Sequence, residues 1–145
     1  MKKTILVADD EYAIRELVEL TLEEDYIVIK AEDGEEALEK ANNEANRPDL
    51  IILDVMMPKM DGFQVCKKLK TSEKTRNIPI IMLTVKNTPE DLKKAISYNV
   101  DEFITKPFEP EIIEKRVNSY FTNEKQKGKL SRMDRSIHYI KDQDS

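Results

Sequence analysis

Five short runs of apolar and β-branched residues recur along this chain, and each is followed by a segment with apolar residues at helical spacing. Runs of this kind are typical of strands that are buried on both faces of a sheet. Strict alternation of strand and helix predicts parallel strands joined by right-handed crossovers, with helices on both faces. We therefore predict a doubly wound α/β fold. The predicted strands span residues 4–8, 26–30, 50–53, 78–83 and 101–105.

The helices are predicted from apolar positions three and four residues apart. One helix has a clear start signal, with Thr88 as the cap, Pro89 at the first helical position and Asp91 in the first turn. The lone Cys66 falls on an apolar helical face, so we predict a core residue and exclude an internal disulfide or a cysteine-based zinc site. The other apolar positions include Ile14, Leu17, Val18, Leu22, Ala37, Leu38, Ala41, Phe63, Leu69, Leu92, Ile96, Ile112 and Tyr120.

Charge and hydropathy limit the classes of function. Residues 1–121 hold 18 basic against 25 acidic side chains, whereas residues 122–145 hold 6 against 4. An acidic body argues against direct, nonspecific nucleic-acid binding. No apolar run approaches the ~20 residues that cross a bilayer, and the start of the chain leads into too few apolar residues for a signal peptide. We therefore expect a cytoplasmic protein that does not enter a membrane.

Polar side chains stand where four of the five predicted strands end. Because ligands of a doubly wound sheet bind beyond the carboxyl ends of its strands, these side chains are the candidate site. Each has a simpler explanation when taken alone: a carboxylate at a helix start, a turn hydroxyl or a solvated cation. The residues are Asp9 and Asp10 after the first strand, Asp54 after the third, Thr84 after the fourth and Lys106 after the fifth.

Together these groups, three carboxylates, a hydroxyl and an ammonium, are suited to bind a cation and to take part in phosphoryl transfer. Clustered carboxylates repel one another unless a cation lies among them, and Mg²⁺ prefers oxygen ligands of this kind. A carboxylate is also a nucleophile in phosphoryl transfer, giving an acyl phosphate. The metal and Lys106 would neutralise charge on the phosphoryl oxygens, and Thr84 would donate a hydrogen bond to one of them.

Six short motifs carry a resemblance that extends over about residues 3–121. The chain resembles the response-regulator receiver family, because the motifs stand in that family's order and spacing. The resemblance implies a flavodoxin-like fold with five helices and strand order 2-1-3-4-5, and a phosphorylation-activated function in two-component signalling. The motifs are Asp9-Asp10, Leu53-Asp54, Met57-Pro58, Met60-Asp61-Gly62, Leu83-Thr84 and Lys106-Pro107-Phe108.

The resemblance also implies a role for each site residue. Asp54 would accept a phosphoryl group from the phosphohistidine of a sensor histidine kinase or phosphotransfer protein. Asp10, Asp54 and the backbone carbonyl of Met56 would ligate Mg²⁺ directly, and Asp9 would hold it mainly through water. Lys106 would contact the phosphoryl group.

The same resemblance implies a switch. On phosphorylation the Thr84 hydroxyl would move toward the phosphate, and the Phe103 ring, otherwise a core residue of the fifth strand, would swing inward. The output would be a changed surface around the fourth helix, fifth strand and fifth helix. The Lys106-Pro107 bond would be cis, which is plausible because the second residue is proline.

Two further expectations concern the residue after the switch threonine and the charged residues of the fifth strand and fifth helix. Val85 is bulkier than the residue that usually follows the switch threonine, so we expect slow phosphoryl exchange at Asp54. Asp101, Glu102 and Arg116 could form reciprocal ion pairs across a two-fold homodimer interface, or could be solvated surface charges.

Residues 122–145 are predicted as a separate segment from the 1–121 domain. A polar connector containing Gly128 is followed by an apolar stripe. The segment is too short for a DNA-binding output domain, and a packed helix, a partner helix, a linker or the start of an output region all stay open. We interpret His138, the only histidine, as incidental. The stripe is Leu130, Met133, Ile137 and Ile140.

Three other functions compete with the receiver. Phosphatases and phosphotransferases of the aspartyl-phosphate kind usually place a second aspartate two residues after the nucleophile, where this chain has Met56. A nucleotide-binding domain would need a glycine-rich loop after the first strand, and the chain has only 3 glycines. A pseudo-receiver working by constitutive contacts is the third. We predict a phosphoacceptor domain and not an enzyme.

Overall fold

A computed structural model describes residues 2–85 and 88–121 of the chain. Its single five-stranded sheet is parallel and has the order β2-β1-β3-β4-β5, which confirms the predicted doubly wound fold. The predicted segment 122–145, with its apolar stripe and His138, lies outside the described residues. The strands are β1 Lys3–Ala8, β2 Tyr26–Ala31, β3 Leu50–Asp54, β4 Ile80–Thr84 and β5 Glu102–Thr105. The helices are α1 Tyr12–Leu22, α2 Gly34–Ala41, α3 Gly62–Thr71, α4 Pro89–Ser97 and α5 Pro110–Phe121, with a 3-10 turn at Glu44–Asn46.

The prediction of the fourth strand was wrong at its start, and that of the fifth began one residue early. The strand was expected from residue 78 but begins at Ile80, because Pro79 has no N–H group to donate to the ladder. Asp101, expected in the fifth strand, lies just before it. Its carboxylate accepts a hydrogen bond from the Ile80 N–H at 2.8 Å and so holds the starts of β4 and β5 together.

Alternate residues of each strand face two separate apolar layers. One layer packs between the sheet and helices α2, α3 and α4, and it contains Cys66, which is fully buried as predicted. The other layer packs between the sheet and helices α1 and α5. Burying strands on both faces in this way keeps the carboxyl ends of β1, β3, β4 and β5 together at one edge.

Helices α2, α3 and α4 begin at side chains that accept hydrogen bonds from the free N–H groups of their first turns. Thr88 caps α4 through the Asp91 N–H, with Pro89 at the first position, as predicted. Asp33 caps α2, and Asp61 caps α3 in a reciprocal capping box with Gln64. The cap of α3 fixes the end of the loop that leads from β3, where Asp54 stands.

Lys30 of the edge strand β2 has its side chain on the face of the sheet that packs against α1. Lys30 forms ion pairs with Glu16 at 3.0 Å and Glu19 at 2.8 Å, both on α1. The Lys40 ammonium of α2 donates a hydrogen bond to the Lys30 carbonyl. Charged side chains from two helices therefore converge on this strand.

Candidate functional site

Three carboxylates meet at the carboxyl edge of the sheet. Asp9 and Asp10 follow β1, and Asp54 ends β3, its neighbour in the sheet. One oxygen from each of the three lies within 4.8 Å of the others. Asp9 and Asp54 are buried, whereas Asp10 is exposed. The edge therefore carries concentrated negative charge with one side open to solvent.

Lys106, which follows β5, reaches across this edge. Its ammonium lies 2.7 Å from an Asp9 oxygen, 3.4 Å from an Asp54 oxygen and 3.4 Å from a Glu11 oxygen. The Lys106–Pro107 peptide bond is cis, as the resemblance implied. We call Asp9, Asp10, Asp54 and Lys106 the strand-end site.

Burial and like charge raise the pKa values of the two inner carboxyl groups. Loss of water, and then the nearby charge of Asp9, raise the pKa of Asp54 to about 7, although Lys106 opposes the rise. Burial also raises the pKa of Asp9, partly offset by the hydrogen bonds from Lys106 and from the Glu11 N–H. For Lys106 burial works against the charged form, but the hydrogen bond to Asp9 and the charges of its acidic neighbours outweigh it and raise the pKa. One ammonium group therefore does not neutralise the cluster.

The loop after Asp54 is packed closely against it. The Gly62 N–H donates to the Val55 carbonyl at 2.8 Å. A Cβ atom at Gly62 would lie 2.2 Å from the Asp54 carbonyl oxygen, so no other residue fits there without movement of the backbone. Met56, the predicted carbonyl ligand, lies in this loop with an exposed side chain, and its backbone N–H bonds the Asp54 carboxylate. The start of α3 is thus held directly against the residue that carries the candidate nucleophile.

Thr84 and Phe103 lie on the same face of the sheet. Thr84 ends β4, is almost fully buried and pairs in register with Thr105, two residues beyond Phe103. The Phe103 ring is fully buried in the layer that also contains Phe63 and Met82. Val85, directly after Thr84, is 64 % exposed at the rim of the site. The structure therefore brings the predicted switch pair into one packed layer.

Two residues near the site were not given a site role from the sequence. Arg15 of α1 is buried and donates a hydrogen bond of 2.9 Å to the Asp9 carbonyl, and its guanidinium also bonds Glu32 at 3.2 Å. Glu11 stands just before α1, where its side chain contacts Lys106 and makes no cap bond. Motif spacing could not find either contact, because each depends on how α1 or the β5–α5 loop folds back over β1.

The residues predicted for a dimer face lie at the opposite edge of the sheet. Glu102 begins β5, is buried, and pairs with Arg116 of its own chain at 2.8 Å. Asp101 pairs with Lys70 at 3.4 Å. These contacts are made within one chain, and the predicted pairs between two chains stay a prediction.

The donor set of the strand-end site fits a hard divalent cation. Asp9, Asp10 and Asp54 offer oxygen ligands only, and their mutual repulsion is what a cation would relieve. The exposed side of Asp10 leaves room for water ligands.

Within the described ranges 2–85 and 88–121, no helix has the length and apolar character to cross a membrane.

The sequence belongs with a family of known proteins. The sequence model of the family described as "Response regulator receiver domain" matches residues 5–118. The chain is 47% identical over 120 residues to the alkaline phosphatase synthesis transcriptional regulatory protein PhoP of Bacillus subtilis, covering 82% of this chain and 48% of that protein. It is 39% identical to the phosphate regulon transcriptional regulatory protein PhoB of Escherichia coli, over 82% of this chain and 52% of that one. The chain thus spans about half the length of these curated relatives.

Solved structures agree with the sequence comparisons. The chemotaxis response regulator CheY4 of Vibrio cholerae superposes with a TM-score of 0.76 at 36% identity, covering 82% of this chain and 98% of that one. The BeF3-activated DrrB receiver domain superposes with a TM-score of 0.74 at 31% identity, over 83% and 97% of the two chains. Both likenesses extend over most of the described residues.

Proposed function

The chain belongs to the response regulator receiver family, and from that membership we propose that Asp54 is the phosphoacceptor of a Mg²⁺-dependent switch. The domain is a receiver of a two-component response regulator, and the family match favours this over a phosphatase or phosphotransferase for small substrates. The proposed donor is the phosphohistidine of a sensor histidine kinase or phosphotransfer protein. The domain would catalyse only its own phosphorylation and dephosphorylation.

One observation carries the proposal: among residues 2–85 and 88–121, Asp9, Asp10 and Asp54 bring carboxylate oxygens within 4.8 Å of one another, and Lys106 pairs with only two of them. A stabilising role alone would favour equal numbers of acids and bases, because unbalanced buried charge costs free energy. Asp10 and Asp54, with the Met56 carbonyl, are the proposed direct Mg²⁺ ligands, and Asp9 the ligand through water. When bound, Mg²⁺ would supply positive charge that relieves the repulsion and stabilises the phosphoryl oxygens.

The proposed chemistry at Asp54 is a direct displacement. A carboxylate oxygen of Asp54 forms a bond to phosphorus as the bond from phosphorus to the histidine nitrogen breaks, and the imidazole leaves with the electron pair. Lys106, already 3.4 Å from the Asp54 carboxylate, is positioned to neutralise a phosphoryl oxygen. The Thr84 hydroxyl would donate a hydrogen bond to another of these oxygens.

The proposed output is a change in the packing of Thr84 and Phe103. Both lie on the face that packs against α3 and α4, so movement of one opens or fills space near the other. The added phosphoryl charge would bias two packings of this layer. The changed surface would comprise α4, β5 and α5. A homodimer through this surface, involving Asp101, Glu102 and Arg116, is a second proposal. Since the matched 120 residues are about half the length of these transcriptional regulators, we also propose a cytoplasmic regulator whose output depends on more than these residues.

Intact-mass spectrometry tests the assignment. The 145-residue chain and its Asp54→Asn variant would be incubated with a small acyl phosphate or phosphoramidate, with Mg²⁺ or with a chelator. We expect one phosphoryl adduct that requires both Asp54 and Mg²⁺. An adduct on Asp54→Asn would contradict the assignment of the acceptor, and an equal yield in chelator would contradict the metal. Absence of any adduct, together with absence of Mg²⁺ binding, would favour a pseudo-receiver acting by constitutive contacts.

A further inference from the structure

A groove of 640 Å³ runs beside α3, away from the roles assigned so far. Its walls come from the β3–α3 loop, the exposed stripe of α3 and the residue that follows α4. Met60 and Tyr98 provide apolar surface, while Lys59, Lys67 and Lys68 place three ammonium groups around it. We call this region the lysine groove. Its volume falls in the range of sites that hold a ligand or a peptide side chain.

Two of these lysines differ from the other lysines of the same helix and the turn after it. Lys70 and Lys74 pair with Asp101 at 3.4 Å and with Glu44 at 3.0 Å. Lys67 and Lys68 are exposed, and the ion pairs of residues 2–85 and 88–121 include neither of them. In a body with an excess of acidic residues, cations beside an apolar surface and without an acidic partner present positive charge to something outside the chain.

We propose that the lysine groove docks a short acidic segment of a partner protein. An apolar side chain of that segment would lie against Met60 and Tyr98, and its carboxylates would contact Lys67 and Lys68. The stripe from Gln64 to Thr71 is about 10 Å long at 1.5 Å per residue, which matches about three residues of extended peptide. A long polyanion such as a nucleic acid fits less well, because the acidic remainder of the body repels it.

The groove is also connected to the strand-end site by close packing. At one wall, α3 begins at Gly62, which is held against the Asp54 carbonyl. At the other, the Tyr98 ring lies 5.5 Å from the Phe63 ring, and the Tyr98 carbonyl accepts a hydrogen bond from the Cys66 thiol at 3.2 Å. Phe63 and Cys66 belong to the same buried layer as Phe103. Resting on the proposed function, this continuity leads us to expect that phosphorylation of Asp54 changes the affinity of the groove, and the converse.

Fluorescence anisotropy tests the docking surface. The probe is a short fluorescein-labelled peptide that alternates Glu and Leu, titrated with the full 145-residue chain at low salt. The double reversal Lys67→Glu/Lys68→Glu should weaken binding about tenfold, since attraction at two positions becomes repulsion. The matched control Lys3→Glu/Lys115→Glu makes the same charge change at exposed sites elsewhere and should stay within about twofold. A peptide with Gln in place of Glu should bind weakly to all forms.

Two results would overturn the docking surface, and a third would overturn its coupling to Asp54. Equal weakening by both double variants would mean attraction to overall charge and no groove. Self-association of the chain that needs Lys67 and Lys68 would assign the groove to the acidic surface of a second copy. Binding to the groove that is unchanged by an Asp54 adduct already verified by mass would remove the coupling but keep the docking surface. Because adduct formation is measured separately, failure of the phosphoacceptor assignment is distinguishable from failure of the groove.

Discussion

Two buried groups of charged residues lie at opposite edges of this sheet, and they are balanced differently. At the amino edge Glu102 and Arg116 form a single pair at 2.8 Å, one acid to one base. At the carboxyl edge the ammonium of Lys106 lies between Asp9 and Asp54, with Asp10 beside them. The first arrangement satisfies its charges within the chain, whereas the second leaves negative charge in excess. The comparison indicates that the first pair serves the fold, and the excess charge of the second group supports the proposal that it binds a cation and accepts a phosphoryl group.

The largest effect should come from breaking the balanced pair. Arg116→Ala leaves the Glu102 carboxylate buried without its cation and should lower the free energy of unfolding by about 3 kcal/mol. Chemical denaturation measures it, with Lys115→Ala, an exposed neighbour on α5, as a control that changes little. Adding Glu102→Gln to Arg116→Ala should recover much of the loss, because the unpaired charge is then absent. A loss below about 1 kcal/mol would show that the two edges do not differ as described.

At the strand-end site, removing a charge is expected to raise the free energy of unfolding, the opposite of the effect of Arg116→Ala. Asp54→Asn removes a buried carboxylate that the Asp9 charge opposes, so without Mg²⁺ it should raise the free energy of unfolding by about 1 to 2 kcal/mol. Asp10→Asn, on the exposed side, should give less than half of that gain. Mg²⁺ should stabilise the parent chain and have much less effect on Asp54→Asn. A variant less stable than its parent in chelator would contradict excess negative charge at this edge.

A smaller effect should appear as a dependence of stability on pH. The pKa values of Asp9 and Asp54 are raised in the fold, so the native state binds more protons than the unfolded chain between pH 4 and about 7. Stability in chelator should therefore fall as the pH rises through about 7, by about 1 kcal/mol from pH 6 to pH 8. The slope should be shallower in Asp54→Asn. A free energy of unfolding that rises from pH 6 to pH 8 would contradict the direction of these pKa shifts.

The smallest effect concerns the rim of the strand-end site. Val85 is exposed beside Thr84, where its side chain would crowd an incoming donor or water. Val85→Ala should raise the rates of phosphorylation by a small donor and of hydrolysis by about two- to threefold. Time-resolved intact-mass measurements follow both rates, with Ile27→Ala on β2 as an exposed apolar control. Unchanged rates would show that Val85 does not cause the expected slow phosphoryl exchange.

Much of the fold and the candidate site could be predicted because the relevant signals are local. Each parallel strand is a continuous apolar run, and the polar residue after it falls at the carboxyl edge whatever the length of the helix between. The same logic predicted that Asp9, Asp54 and Lys106 lie together, and the structure confirms this. Thr88 and Pro89 predicted the start of α4 because a helix cap depends on adjacent residues only.

The contacts that could not be predicted join distant elements. Arg15 reaches the Asp9 carbonyl because α1 turns back along β1, and no local pattern records that direction. Glu102 and Arg116 were considered as partners between two chains, yet they pair within one because α5 packs against β5. Strand ends also depend on neighbours, as the Asp101 contact with the Ile80 N–H shows.

The lysine at the outer strand has a consequence for how the molecule behaves when concentrated. A sheet border with open N–H and C=O groups is a template on which other chains can add strands and begin a fibre. In β2, the Lys30 side chain forms ion pairs with Glu16 and Glu19, and the Lys30 carbonyl oxygen accepts a hydrogen bond from the Lys40 ammonium. A second chain would have to displace these groups before it could extend the sheet. These contacts of Lys30 and Lys40 therefore oppose amyloid-like growth from this border.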